Sequence, residues 1–478
     1  MDGSRVEAST AAVAADVVCL GESMVTFRPS RPGRLGRLAD VSSFDRGIGG
    51  AESNVACALA RSGHRARWVS RVGADGFGDH LTEAVAAYGV DVSAVTRDAE
   101  RPTGVYFRTA GERCVSDGPG QTDASPAEVA YYRAGSAASA MSPANVPREV
   151  AWSGRILHLT GITAALSTGC LALLRTLTAR RPGRPLVSFD ANYRPGLWRT
   201  SPEGPSVLAE LARACDIVFV GEDEAEAAWG VRGPEAIRAA LPEPDVLVVK
   251  QGARGATAYV RPGAGDSGSA GAGGAAPGSG MRAAPVGGTA ADAAAGAVAP
   301  GHPRGPGTGG VPDGRTPVPG GDVRPGESGS GVDAGLVGGP AADALARAGA
   351  PGGDVRPRRP GTGPGAGPVG GSGAGASLRV PARDVVTFVP ALRVDVVAPV
   401  GAGDAFAAGF LAGTLRGLPV GVCLRWGHLF AAAVLAVPGD LAEPPAPALV
   451  ERLAALDDDA WGRLRPVAQD TPAEETAP

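Results

Sequence analysis

The tetrapeptide Gly401-Ala402-Gly403-Asp404 sets two glycines and an alanine ahead of one carboxylate. Residues without bulk let successive backbone N–H groups approach an anion closely, and the positive end of a helix favours that anion. Downstream, "AFAAGFLAGTLRG" reads as an Ala-rich helix ending near Gly417, and upstream "LRVDVVAPV" reads as a strand. Phosphoryl transfer to a hydroxyl needs donors that hold charge on the moving group and a carboxylate that takes the alcohol proton. This turn could supply both. A capping or dipole-compensating carboxylate, worth about 0.5–2 kcal/mol, fits an Asp in a first helical turn equally well.

The surrounding elements must place such a turn at the edge of a sheet. "DVVCLGE", from Asp16, is a short apolar run closed by glycine, "AESNVACALARSGH" has a helical apolar face that stops at Gly63, and "RARWVSRVG" is the next strand. The rhythm recurs in "RILHLTG", "CLALLRTLTARRPG", "PLVSFDAN", "SVLAELARACD", "DIVFVGE" and "DVLVVKQGARGATAYV". Buried strands joined by amphipathic helices predict an α/β fold: a mostly parallel sheet covered on both faces, with ligands at the C-terminal strand ends. "PTGVYFRTAGERCV" and "AEVAYYRAGSAAS" leave no room for a helix between them and predict a hairpin off the main sheet, part of a small lid with the polar loop "SDGPGQTDASP" at its tip.

Composition is uneven. Of 478 residues, 73 are Gly and 42 Pro, with the excess between about residues 261 and 378. That stretch is nearly free of aromatics and cannot bury enough apolar surface to offset ordering entropy, so a disordered insertion is expected there, with a disordered leader over 1–14 and tail over 467–478. "PGGDVRP" occurs in it twice, a sign of repeat expansion. The globular body then comprises residues 15–260 and 379–466, with lid strands within 22–48 and 103–136. Net charge is −4 with no basic stripe, which argues against a nucleic-acid or membrane-surface partner and for a small molecule. Cys19, Cys57, Cys114, Cys170, Cys215 and Cys423 are dispersed, with no metal or disulfide pattern. No basic n-region precedes a long apolar core, and no run reaches the roughly 18 apolar residues of a membrane span, so a cytoplasmic location is expected.

Two long motifs sharpen the reading. The stretch around Gly401–Asp404 resembles the C-terminal signature of the ribokinase-like (PfkB) carbohydrate kinases, and "GGAESNVACALARSGHRARWVSRVGADGFGDHL", from Gly49, resembles their N-terminal signature. "GESMVTF", "TGVYFR", "YYRAGSAAS", "HLTGITAALS" and "FDANYRPGLW" resemble the subgroup acting on 2-keto-3-deoxygluconate. The resemblance implies a Rossmann-like α/β domain with a β lid, ATP and Mg2+ as cofactors, a sugar acid as substrate and, through paired lid strands, a homodimer as one arrangement. It implies Asp404 as catalytic base and the amides of Gly401, Ala402 and Gly403 as an anion hole. Gly50, Asn54, Tyr106, Tyr131, Arg133 and Arg194 match substrate-binding positions. Lys250, Gly252 and Gly255 match the nucleotide side, and Glu224 a glutamate that holds magnesium through water. Read without the family, the tyrosines are lid-strand aromatics, Arg194 a loop charge, Asn54 a helix-start residue and Glu224 part of a solvated acidic face. Two positions depart from the pattern. Ala398 stands where the family usually has an aspartate beside a monovalent-cation site, which puts potassium activation in doubt, and Gly221 replaces the Asn of the Asn-x-x-Glu motif.

Overall fold

The computed structural model describes residues 15–30, 37–109, 129–199, 203–262 and 384–465. Thirteen strands lie among them: β1 Ala15–Leu20, β2 Met24–Pro29, β3 Phe44–Gly49, β4 Ala66–Gly73, β5 Val95–Asp98, β6 Val105–Arg108, β7 Val129–Tyr132, β8 Gly154–Thr160, β9 Leu186–Asp190, β10 Ile217–Gly221, β11 Val246–Lys250, β12 Gly255–Val260 and β13 Val385–Pro390. Nine form one sheet in the order β13-β12-β11-β10-β9-β8-β1-β4-β5, and four form a second in the order β3-β2-β6-β7.

Side-chain alternation explains why the large sheet is covered on both faces. In β1, Val17 and Cys19 enter one hydrophobic core while Val18 and Leu20 enter the other, and β10 divides Ile217 and Phe219 from Val218 and Val220 in the same way. Each such side chain, fully buried, contributes on the order of 1.5–3 kcal/mol. The first core is roofed by helices Ala51–Arg61, Ala402–Leu415 and Val420–Leu435, and the second by Thr168–Thr178 and Ser206–Ala214. Helix Thr168–Thr178 starts where Ser167 accepts from the Cys170 N–H at 3.0 Å. The helices 402–415 and 420–435 approach so closely that a Cβ on Gly409 would stand 2.5 Å from the Trp426 carbonyl oxygen, which requires glycine there.

From β10 and β11 through β9, β8 and β1 to β4 and β5 the pairing is parallel, as the alternation predicts. The far edge differs: β11–β12 and β12–β13 are antiparallel. "DVLVVKQGARGATAYV" is thus a hairpin turning at residues 251–254 rather than another strand and crossover. "LRVDVVAPV" is not a strand. The strand lies earlier, at Val385–Pro390, and residues 391–399 run irregularly toward the helix at Ala402. Gly255, the first residue of β12, pairs with Pro390, so the chain beyond Pro390 has run off the end of its only neighbouring strand among the described residues. Val396 and Val397 are accordingly 59% and 58% exposed.

The hairpin β6–β7 does stand off the main sheet, antiparallel with Tyr106 opposite Tyr131, and β2 joins it to β3. Residues 110–128, which include Cys114 and the tip loop, lie outside the described residues, as do the leader, the tail and 263–383. The described residues all belong to one compact unit. Val260 and Val385 are registered partners across β12 and β13, so 263–383 links the ends of adjacent strands. The five described cysteines are free and buried. Among the described residues no helix is long and apolar enough to cross a membrane.

Candidate active site

The helix Ala402–Leu415 begins with Gly401 in the left-handed region, φ 78° and ψ −10°. A side chain there would be strained by the backbone and would also strike the Asp440 carbonyl, so glycine is required twice over. Gly401 accepts the first helical hydrogen bond, from the Ala405 N–H at 2.9 Å. The amides of Ala402, Gly403 and Asp404 precede that bond and belong to the first turn, where N–H groups lack helical acceptors. Asp404 does not cap its own helix. Its Oδ2 accepts from Asn54 Nδ2 at 2.9 Å, across to the helix Ala51–Arg61.

Surrounding protein pushes the Asp404 carboxyl up to about 7, with desolvation the largest cause and the nearby Asp190 charge adding to it. The Asn54 hydrogen bond, Arg194 and Lys250 oppose the rise. A carboxylate balanced near neutrality can both take and hold a proton at physiological pH.

Asp404 and Gly401, Ala402 and Gly403 line a cavity of about 970 Å³. The same wall carries Arg194, Glu224, Lys250, Gly252 and Gly255 from the predicted set. The irregular run after Pro390 contributes Leu392, Val394 and Val396, an apolar side suited to a flat ring. At its floor Lys250 Nζ donates to both oxygens of the buried Asp190, at 2.7 and 3.0 Å. Removing one partner of such a pair costs about 3–5 kcal/mol. Burial raises the Asp190 carboxyl, and the Lys250 ammonium works against that. A Cβ on Gly403 would stand 3.6 Å from Lys250 Nζ, which places the ammonium beside the first-turn amides.

Glu224 is 4% exposed, so it is not part of a solvated acidic face. Its Oε2 accepts from the Gly221 N–H at 2.9 Å and closes the start of helix Glu222–Trp229. Its neighbour Glu222 instead pairs with Arg254. Among the described residues no three His, Cys, Asp or Glu side chains form a metal cage. Asp190 and Glu224, close enough for each charge to affect the other, suit a magnesium ion that keeps waters and rides on phosphate oxygens. Ala398 offers no side-chain oxygen to a monovalent cation.

The remaining predicted residues line no part of that cavity. Gly50 precedes the helix bearing Asn54, and a Cβ on it would meet the Glu22 and Ser23 backbone. The rings of Tyr106 and Tyr131 are 5.3 Å apart, with the Arg133 guanidinium 5.7 Å from the Tyr131 ring centre. The Tyr106 hydroxyl donates to Asp440 Oδ2 at 2.7 Å, and Arg133 pairs with Glu22. Both groups expected to meet the substrate are engaged with protein carboxylates. The set is nevertheless contiguous: a Cβ on Gly49 would stand 2.6 Å from the Tyr106 hydroxyl, and the helix after Gly50 carries Asn54 to Asp404.

Sequence reasoning missed Asp190, Glu22, Glu52 and Asp440. Asp190 ends a parallel strand, a position that could have marked it. Glu22 is buried, bonded by Ser136 at 2.6 Å as well as by Arg133. Glu52 is fully buried, with Oε1 accepting from Thr160 and Thr163 at 2.7 Å each, Oε2 without a partner, and its carboxyl pushed up to about 7 by burial. No local signal marked these three.

A model described as "pfkB family carbohydrate kinase" matches residues 14–269 and 370–447. The 2-dehydro-3-deoxygluconokinase of Bacillus subtilis (strain 168) is 38% identical over 224 residues, 46% of this chain and 65% of that protein, so slightly under two-thirds of the relative is spanned. The protein of the same name from Thermoproteus tenax is 32% identical over 246 residues, 51% of this chain and 71% of its own. Plant fructokinases match as well, at 30% identity for fructokinase-1 of Oryza sativa subsp. japonica over 51% of this chain and 73% of its own. The crystal structure of a PfkB protein from Polaromonas sp. JS666 superposes with a TM-score of 0.55 at 25% identity, covering 90% of this chain and 98% of that one. With the two signatures joined by the Asn54–Asp404 hydrogen bond, and a family model that spans most of the described residues, the chain belongs to the pfkB family of carbohydrate kinases.

Proposed function

We propose that this protein transfers the γ-phosphoryl group of ATP to the 6-hydroxyl of 2-keto-3-deoxygluconate. The observation that carries the reading is Asp404: it lines the cavity at the start of a helix whose first-turn amides open on the same space, and Asn54 and Arg194 act on its carboxylate. Asp404 takes the hydroxyl proton as the sugar oxygen bonds to the γ-phosphorus, the bond from that phosphorus to the bridging oxygen breaks, and ADP leaves with the electron pair. The amides of Ala402 and Gly403 and the Lys250 ammonium stabilise the charge that develops on the transferred group. Magnesium, when bound, offsets phosphate charge, and Asp190 and Glu224 are the side chains that would hold its waters.

Arg194, on the cavity wall, supports a carboxylate on the substrate. One observation favours a neutral sugar instead: Arg133 is already neutralised by Glu22, which leaves Arg194 as the one arginine of the predicted substrate set on the cavity wall. ADP release measured with 2-keto-3-deoxygluconate, related sugar acids, fructose and ribose, each with and without potassium, separates the two. The expected result is the highest kcat/KM on 2-keto-3-deoxygluconate. Preference for fructose or ribose overturns the substrate assignment, and ADP release on no sugar overturns the activity.

A further inference from the structure

Three successive residues in the first turn of the helix Ala51–Arg61 are buried, and each reaches a different part of the molecule. Consecutive helical residues point about 100° apart, so a single turn can do this. Asn54 Nδ2 donates to Asp404, while its buried Oδ1 has no hydrogen-bond partner among the described residues. Ser53 donates to the Ser23 hydroxyl at 3.0 Å. Glu52 joins the turn to the end of β8, its Oε1 accepting from Thr160, the last residue of that strand, and from Thr163, at 2.7 Å each. The same carboxyl fills the space over Gly21, just past β1, where a Cβ would stand 2.1 Å from Glu52 Cδ. One hydrogen bond does not by itself fix the Asn54 amide, so its place beside Asp404 depends on where the helix start is held.

We propose that Glu52 is a positioning residue for the reaction: by clamping the helix start to Thr160 and Thr163 it holds the Asn54 amide on Asp404. The inference deepens the kinase reading and rests on it for its catalytic consequence. The clamp itself is independent of the substrate. A buried carboxyl that makes no ion pair among the described residues detracts from stability as it ionises, so what the contact supplies is orientation. Burial pushes the Glu52 carboxyl up to about 7, and glutamine reproduces its neutral form with an Oε1 that still accepts from both threonines. Leucine fills the space and accepts from neither.

The chain has three asparagines, Asn54, Asn145 and Asn192, so labelling the full-length protein with 15N-asparagine gives three side-chain amide signals. Loss of one in Asn54→Ala identifies that of Asn54, and its shift in Asp404→Ala gives the direction of release from the carboxylate. Without substrate, Glu52→Leu and Thr163→Val are each expected to shift the Asn54 signal in that direction. A signal left in place by Glu52→Leu, or by Thr163→Val where Glu52→Leu does not fold, overturns the proposal. Kinetics supply a second arm on whichever sugar the wild type phosphorylates. Glu52→Leu is expected to lower kcat about tenfold, the scale of one hydrogen bond to a charged group, with KM for ATP unchanged, and Glu52→Gln to stay within about threefold of wild type. In an Asn54→Ala background Glu52→Leu is expected to cost nothing further, because both changes cut one connection. Multiplying losses, or Glu52→Gln as damaging as Glu52→Leu, overturn it. A wild type inactive on every sugar refutes the kinase reading and leaves the amide signal to decide this one.

Discussion

Replacing Asp404 by Asn keeps the shape of the side chain and its bond to Asn54 while removing the proton acceptor. General-base catalysis contributes about 10²–10⁴-fold, so kcat should fall by that factor with KM for the sugar little changed. The wild-type rate should rise with pH through about 7, where the carboxyl loses its proton, and level off above. The structure also fixes the sign of the stability change. The carboxyl is raised from 3.8 to about 7 in the folded chain, so ionising it there is unfavourable and stability is lost as pH climbs through that window. At ~1.4 kcal/mol per pKa unit the penalty is at most about 4 kcal/mol, reduced by the water that reaches this half-buried side chain. Asp404→Asn should therefore be inactive and more heat-stable than wild type above pH about 7, with the difference vanishing below pH about 4. Steady-state ADP release and thermal denaturation across pH check both halves. A variant that keeps more than about a tenth of wild-type kcat, or the same sloping pH limb as wild type, refutes the assignment of Asp404 as base.

Three further outcomes follow from the same geometry. Arg194→Met should raise KM for the sugar acid roughly 10–100-fold, as loss of a charge-assisted bond to a carboxylate does, and leave KM for fructose unchanged, which a two-substrate kinetic comparison reads. Glu52 is raised from 4.5 to about 7 by burial, so it costs stability increasingly as pH rises through 7; Glu52→Gln should flatten the melting temperature from about pH 5 to about pH 8, and an unchanged slope would exclude that source. Because Val260 and Val385 are cross-strand partners, replacing residues 263–383 by a short Gly-Ser hairpin loop should preserve kcat and shift stability by little more than the loop-entropy difference, about 0.6 kcal/mol per halving of length. Loss of folded protein in that deletion would show that the segment carries part of the fold.

The elements themselves were legible in the sequence. Apolar runs such as "VVCL" and "IVFV" bury alternate residues in two cores, and that pattern is local, so it can be read along the chain. Gly401, Gly403 and Asp404 were legible too, because a helix start that must accept close approach restricts residue type within four positions. "LRVDVVAPV" misled for the complementary reason: its β-branched residues favour extension, but a strand needs a partner, and β12 ends its pairing at Pro390.

What the chain order dictates, then, is where strands and helices begin and which turn could cradle an anion. The fold alone decides the company those residues keep. Asn54 meets Asp404 across 350 positions and Tyr106 meets Asp440 across 334, while Arg133 is claimed by Glu22 and Lys250 by Asp190. Proton affinity and side-chain commitment depend on distance in space and on exclusion of water, and neither quantity is written in a linear spacing of residues.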